Sequence, residues 1–272
     1  MYEKITILNG KNKGPTSIII GGVHGNETCG VNAIKKILPK LKIDAGKLII
    51  VYGNPKAIIK NVRYIDSNLN RLFRPYNLLI KQEKVSYEYK RVKILKKYLK
   101  QSDYLLDIHA SFTPKSKRFI ICEKNASEIV KYLPFNLIVN GFDSIQPGGT
   151  DYFMNKIGKV GICVECGYMN DPQSNTVAEQ SVFDFLVATG NITGKSKIRK
   201  QNLLKIYKIY KSKTNIFLLK KKFSDFEEVK KGQIIGIDGS REVLSTKKSI
   251  ILFAQDTNKI DDEAFLLGVA TI

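Results

Sequence analysis

Apolar positions along this chain follow two different periods. Ile18-Ile19-Ile20 is a β-branched run of the kind that fills buried strands, and residues 4–8, 47–52, 104–108, 118–122 and 161–164 read the same way. Between these runs the spacing turns helical. Val31, Ile34, Ile37, Leu38 and Leu41 predict a helix over 28–41, and Val92, Leu95 and Leu99 predict another over 87–99. Shorter helices are predicted over 127–133, with Ser127 as cap and Glu128 in the first turn, and over 150–156. Val177, Val182, Phe185 and Leu186 mark one over 175–189. Residues 9–14 read as a turn, and 54–77 as a long irregular loop of the sort that often carries function.

Strands alternating with helices predict an α/β protein whose sheet is covered on both faces. After Gly190 the pattern changes. Residues 203–211 alternate as LLKIYKIYK, and strand-like pieces follow at 216–219, 234–237, 250–253 and 265–270. Turn signals at Lys231-Gly232 and Asp238-Gly239 separate some of them. The expected organisation is a catalytic α/β domain over 1–195 and a small all-β domain over 196–272.

Composition changes this picture only slightly. The chain has 272 residues and an apolar fraction of 43%, ordinary for a globular protein. It contains no apolar run of the roughly 18–20 residues that a membrane span needs. The first residues, MYEKITILNG, show no basic segment followed by a long apolar stretch and a cleavage site, so a soluble, cytoplasmic protein is expected. A net charge of +20 fits a polyanion partner, but Lys220-Lys221-Lys222, Lys230-Lys231 and Lys247-Lys248 are short and lack aromatic interleaving. Nucleic-acid binding is therefore the lesser alternative, and attraction of small anionic substrates the simpler use of the charge. Cys29, Cys122, Cys163 and Cys166 read as small buried residues; the Cys163–Cys166 spacing has no second pair to complete a zinc knuckle.

The candidate chemistry gathers where strands end. His24 and Glu27 follow the Ile18 strand through Gly21-Gly22, and the only other histidine, His109, follows the strand at 104–108. Sites in open α/β sheets form beyond the carboxyl ends of strands. Two histidines and a glutamate make a three-ligand shell for catalytic zinc, with a fourth position left for water. Asp107 is a candidate partner for His109. Glu165 ends another apolar strand, where a carboxylate is costly to bury without a role; it reads as a general base or as a structural carboxylate paired with an arginine. The long loop supplies Arg63, Asn70, Arg71 and Arg74. Arginines there can polarise a scissile carbonyl or clamp a carboxylate, or can simply be surface residues.

His24-Gly25-Asn26-Glu27, Arg63-Tyr64-Ile65-Asp66 followed by Asn68-Leu69-Asn70-Arg71, Asp107-Ile108-His109 and Val164-Glu165 together resemble the signatures of the succinylglutamate desuccinylase/aspartoacylase family. The resemblance is ordered and covers roughly residues 16–190. It implies a zinc-carboxypeptidase-like mixed sheet flanked by helices, with a β domain after it. It also implies a zinc-dependent amidohydrolase that uses a metal-activated water to remove the acyl group from a small N-acyl amino acid. By motif, His24, Glu27 and His109 would bind one Zn2+ per chain, Glu165 would be the base, Arg63 would polarise the carbonyl, and Asn70 and Arg71 would bind the substrate carboxylate. Two features depart from aspartoacylases. Those carry an arginine about ten residues before the catalytic glutamate, where this chain has Asn155 beside Lys156, and Ala110-Ser111-Phe112 replaces their Asn-Thr-Thr type of sequence. The resemblance therefore names neither the acyl group nor the amino acid. A metallocarboxypeptidase acting on short peptides is the alternative enzyme, because Arg71 serves both. A basic nucleic-acid-binding module is the alternative of a different class. The expected partner is a small anionic substrate rather than a membrane; a homo-oligomer is left open.

Overall fold

The β-branched run at 18–20 lies well inside a mixed sheet. The protein is described by a computed structural model covering residues 3, 5–114 and 116–271. The strands in chain order are β1 (Thr6–Asn9), β2 (Asn12–Gly21), β3 (Ala45–Tyr52), β4 (Tyr104–Ser111), β5 (Phe119–Cys122), β6 (Leu137–Asn140) and β7 (Val160–Tyr168). They are followed by β8 (Asn202–Lys211), β9 (Phe217–Leu219), β10 (Glu227–Val229), β11 (Ile234–Asp238), β12 (Arg241–Leu244), β13 (Ser249–Leu252) and β14 (Glu263–Thr271). Eleven strands form one sheet in the order β1-β3-β2-β4-β7-β5-β6-β8-β14-β13-β10, and β12-β11-β9 form a small antiparallel sheet. The fold is a large mixed sheet flanked by helices, with that small sheet beyond it.

β3, β2, β4 and β7 run parallel. Their side chains divide between two faces, as strand alternation requires. Ile19, Ile50, Ile108 and Val164 pack under Ile34 of the helix Cys29–Ile37 and under Val177, Val182 and Phe185 of the helix Gln173–Ala188. Ile18, Ile20, Ile49, Val51 and Leu105 pack under Val92, Leu95 and Leu99 of the helix Tyr87–Leu99. With both faces covered, these strands need apolar side chains at nearly every position.

Several elements differ from the expectations. The turn at 9–14 shrinks to Gly10-Lys11, because β2 already begins at Asn12. The segment 54–77 is not irregular throughout. It opens with the helix Pro55–Lys60, whose N-cap Asn54 accepts from the Ala57 amide (3.3 Å) and which stops at Asn61, φ +52°. Asn followed by Pro is a helix start signal. Single 3-10 turns follow at Leu69–Arg71 and Tyr76–Leu78. Ser127 does not cap its helix: it is the first residue of Ser127–Val130, entered from the 3-10 turn Lys124–Ala126. β4 and β7 run two and three residues past His109 and Glu165 to Ser111 and Tyr168, so neither side chain lies at the very end of its strand. β6, β10 and β12 were not expected; they are short and take their strand character from their partners.

β8 pairs in parallel with β6, so β8, β14, β13 and β10 continue the large sheet, while β9, β11 and β12 form the small one. Tyr210, Phe217 and Phe265 pack against one another there, Tyr210 stacked on Phe265 with ring centroids 5.0 Å apart. No helix among the described residues is long and apolar enough to cross a membrane.

One buried side chain organises the loop after β3. Glu88, in the first turn of the helix Tyr87–Leu99, is fully buried. Its carboxylate accepts from the backbone amides of Ile65 (2.7 Å), Asp66 (3.1 Å) and Ser67 (3.1 Å) and from Asn54 Nδ2 (3.1 Å). The 65–67 turn is thereby fixed between Arg63 and Asn68. Glu88→Ala should strand these donors, each at a cost of roughly 1–3 kcal/mol, and lower the denaturant midpoint accordingly. An unchanged midpoint would show that water replaces the carboxylate without loss.

Candidate active site

The chain passes from β2 to β3 by the helix Cys29–Ile37 on one face and from β3 to β4 by Tyr87–Leu99 on the other. β3 and β4 flank β2, so a crevice opens beyond the carboxyl ends of the parallel strands. His24 and Glu27 lie in the β2 exit loop. Gly22 there has φ +73°, a conformation that suits glycine. Gly25 has no room for a side chain, since a Cβ would lie 2.1 Å from the Ala57 carbonyl carbon. The loop therefore seats against the helix Pro55–Lys60, and the Gly25 amide donates to the Arg63 carbonyl (3.2 Å).

His24, Glu27 and His109 meet in the crevice, all buried, with one ligand atom of each within 4.8 Å of the others. Glu27 Oε1 lies 2.8 Å from His24 Nδ1 and accepts from Arg63 Nη1 at 2.9 Å. Glu27 Oε2 lies 2.8 Å from His109 Nδ1 and accepts from the Ala110 amide at 3.3 Å. Burial opposes ionisation of Glu27, yet the two imidazoles hold its carboxyl well below the usual range. Burial also lowers His24, favouring the neutral ring a metal needs. For His109 burial is outweighed, chiefly by Asp107, and the ring is held well above its ordinary value.

Each imidazole has a further neighbour. His24 Nε2 meets Asn68 Oδ1 at 3.1 Å, and that oxygen also accepts from the Asn70 amide (3.0 Å). His109 Nε2 lies 3.2 Å from Asp107 Oδ2, which accepts from Thr150 Oγ1 at 2.5 Å. His24 Nδ1 and His109 Nε2 are buried without an aligned hydrogen-bond partner among the described residues. Two imidazoles and a carboxylate, with an orphaned ring nitrogen facing the carboxylate, fit the N/O donor set of a zinc site.

Glu165 is the register neighbour of His109 across the β4–β7 pair and faces Phe119 on its other side. Its Oε2 is buried with no partner among the described residues. Burial, and next the Glu27 charge, push its carboxyl up to about 8. Arg63, with its side chain 42% exposed, reaches the cluster through Glu27.

Asn70 and Arg71 follow Asn68 into the crevice, but they differ in commitment. Asn70 Oδ1 is buried and unpartnered among the described residues. Arg71 already holds a carboxylate: Nε and Nη2 donate to Glu263 Oε1 (3.1 Å) and Oε2 (2.9 Å). Arg74 is turned to Glu83 (2.7 Å) and to the Arg71 carbonyl (2.7 Å). Asn155 is not brought to the cluster. It sits at the amino end of β7, where Oδ1 accepts from the Gly161 amide (3.2 Å) and from Asn125 (2.9 Å) and Nδ2 donates to Asp143 (3.0 Å). The four cysteines are buried and free, as expected. Asn68 and Thr150 had no assigned role from sequence. Asn68 stood inside a quoted motif, whereas nothing in the chain order links Glu263 to Arg71.

Fold and site together define an α/β protein with a buried His-Glu-His cluster at the carboxyl edge of its parallel strands. The chain belongs to the succinylglutamate desuccinylase/aspartoacylase family, whose catalytic domain it matches over residues 13–188. It is 29% identical over 171 residues to a probable aspartoacylase of Trichodesmium erythraeum, covering 55% of this chain and 54% of that one. It is 30% identical over 190 residues to an N-acyl-aromatic-L-amino acid amidohydrolase (carboxylate-forming) of Xenopus tropicalis, covering 64% and 60%. The chain thus spans about half the length of the curated relatives it matches. Among solved structures, succinylglutamate desuccinylase of Vibrio parahaemolyticus superposes with a TM-score of 0.80 at 16% identity, covering 98% of this chain and 86% of that one. The product-bound ectoine utilization protein EutE (DoeB) of Ruegeria pomeroyi superposes with 0.72 at 20% identity, covering 97% and 88%. At these identities the superpositions establish the fold.

Beneath the cluster, Asp151 is buried in the first turn of the helix Thr150–Lys156. Burial, and next Asp143, raise its carboxyl from 3.8 to about 7. The folded state then holds this proton more tightly than the unfolded chain. The associated stability is fully present below about pH 4 and is lost as pH rises towards 7. Asp151→Asn should therefore lose less stability than wild type between pH 5 and 8, by on the order of 2–3 kcal/mol. Parallel stability–pH curves for the two proteins would contradict this.

Proposed function

We propose that the protein is a zinc-dependent amidohydrolase that cleaves the amide bond of a small N-acyl amino acid. The observation that carries the reading is the shared Glu27 carboxylate between His24 and His109, with Glu165 in register beside His109 and its Oε2 buried without a partner among the described residues. Family membership supports the same class of reaction. We also propose a division into a catalytic domain over 1–195 and a smaller β domain over 196–272, the latter supplying Glu263 to the rim.

His24, Glu27 and His109 would hold the zinc. When bound, it supplies Lewis acidity that lowers the pKa of water towards about 7 and polarises a carbonyl. Glu165, as the carboxylate, takes the proton of the attacking water. Arg63 places a guanidinium beside the cluster to stabilise the oxyanion of the tetrahedral intermediate, a contact whose loss typically costs about 2.7–4 kcal/mol of barrier. Glu165 then passes its proton to the departing nitrogen. Asn70 and Arg71 hold the substrate carboxylate and fix which amide faces Glu165.

Glu165→Gln should keep one zinc per chain and lose nearly all turnover of an N-acyl amino acid panel; full activity would remove Glu165 from the chemistry. His109→Ala should lose the metal, read by elemental analysis, and unchanged zinc content would overturn the ligand set. Dipeptides in the same panel separate the deacylase from a carboxypeptidase: faster cleavage of dipeptides would reassign the substrate.

A further inference from the structure

The three arginines of the loop after β3 are each paired with a carboxylate: Arg63 with Glu27, Arg71 with Glu263 and Arg74 with Glu83. The Arg71 pair is unlike the others. Glu263 opens β14 and lies 192 residues further along the chain, so only the return of the C-terminal strands brings it to this rim. Its carboxylate fills the Nε–Nη2 edge of the guanidinium and also accepts from Gln146 Nε2 at 2.5 Å. Arg71 Nη1 donates to the Asn70 carbonyl at 2.9 Å. An arginine has five N–H donors. Three are used, and the two that remain belong to Nη1 and Nη2, the fork that grips one carboxylate end-on. The side chains of Arg71 and Glu263 are 22% and 31% exposed, so the pair is partly open to solvent.

We propose that Glu263 is a specificity-determining residue: it cancels the charge of Arg71, so that the site accepts N-acyl amino acids with one carboxylate and turns away those with a second. The proposal rests on the deacylase reading above and names the substrate class within it. The geometry leaves room on Arg71 for one carboxylate. A second one, on the acyl group or the side chain, would find every arginine of this loop committed. It would also face the charge of Glu263, against which like-charge juxtaposition is costly. Burial opposes ionisation of Glu263, but Arg71 and Lys211 hold its carboxyl below the usual range, so the charge is present at neutral pH. An alternative role, in which Glu263 merely orients Arg71, predicts the opposite response to removing its charge.

The test uses the zinc-loaded full chain with N-acetyl-L-methionine and N-acetyl-L-aspartate as probes, in equilibrium binding and in turnover. Wild type should bind and cleave the methionine derivative in preference by about tenfold or more, and Glu263→Gln should narrow that ratio by about tenfold, through tighter binding of the aspartate derivative. Glu263→Asp, which keeps the charge, should retain the wild-type preference. A wild-type preference for the aspartate derivative would overturn the proposal by itself, even where a variant fails to fold. So would equal weakening of both ligands in Glu263→Gln, the signature of an orienting role. If wild type cleaves neither these compounds nor any other member of the N-acyl amino acid panel, the deacylase reading fails and this proposal with it; an unchanged ratio sinks this proposal alone.

Discussion

Everything at the carboxyl edge of the sheet depends on keeping one carboxylate ionised out of water. Glu27 is buried, and an unpaired charge there would be untenable. Two imidazoles, a guanidinium and a backbone amide surround it, from the β2 exit loop, β4 and the loop after β3. Each segment is placed by contacts of its own. Gly25 lets the first lie against the helix Pro55–Lys60, strand pairing carries the second, and Glu88 gathers the amides of the third. Satisfying Glu27 therefore couples local backbone geometry to the position of every neighbouring polar group.

That coupling extends outward through bonds shared between roles. Asn68 Oδ1 meets a His24 nitrogen and the amide of Asn70, tying a metal-ligand candidate to the segment that carries the carboxylate-binding candidates. Arg71 then links this segment to Glu263 on β14. The C-terminal strands thus do more than extend the sheet: they return an acidic group to a basic rim and set its charge balance. Arg71 and Gln146 lie inside the matched region 13–188, whereas the carboxylate they share, Glu263, lies beyond it.

Much of this was legible in the chain because the physics is local. A β-branched run such as Ile18-Ile19-Ile20 favours a buried strand, and Val92, Leu95 and Leu99 share one helix face, whatever surrounds them. The ordered motifs drew attention to His24, Glu27, His109 and Glu165 for a related reason: strand ends in α/β folds are where polar groups converge. The segment 54–77 was less legible. Its helix is announced by Asn54-Pro55, but its shape depends on a carboxylate at Glu88, more than twenty residues from the nearest of the amides it holds. β6, β10 and β12 lack a pattern of their own because three or four residues carry too little periodicity.

By itself the sequence determined the alternation of strands and helices, the two-sided burial of the central strands and the identities of the groups able to do chemistry. Those properties follow from side-chain size, branching and charge along short stretches. Only the tertiary structure decided which groups meet. It set Glu27 between the two histidines, turned Asn155 away to the amino end of β7, and gave Arg71 a carboxylate from 192 residues further on. Such pairings are made by strand order and chain return, which no local pattern encodes, and a buried charge accepts whichever partner that topology delivers.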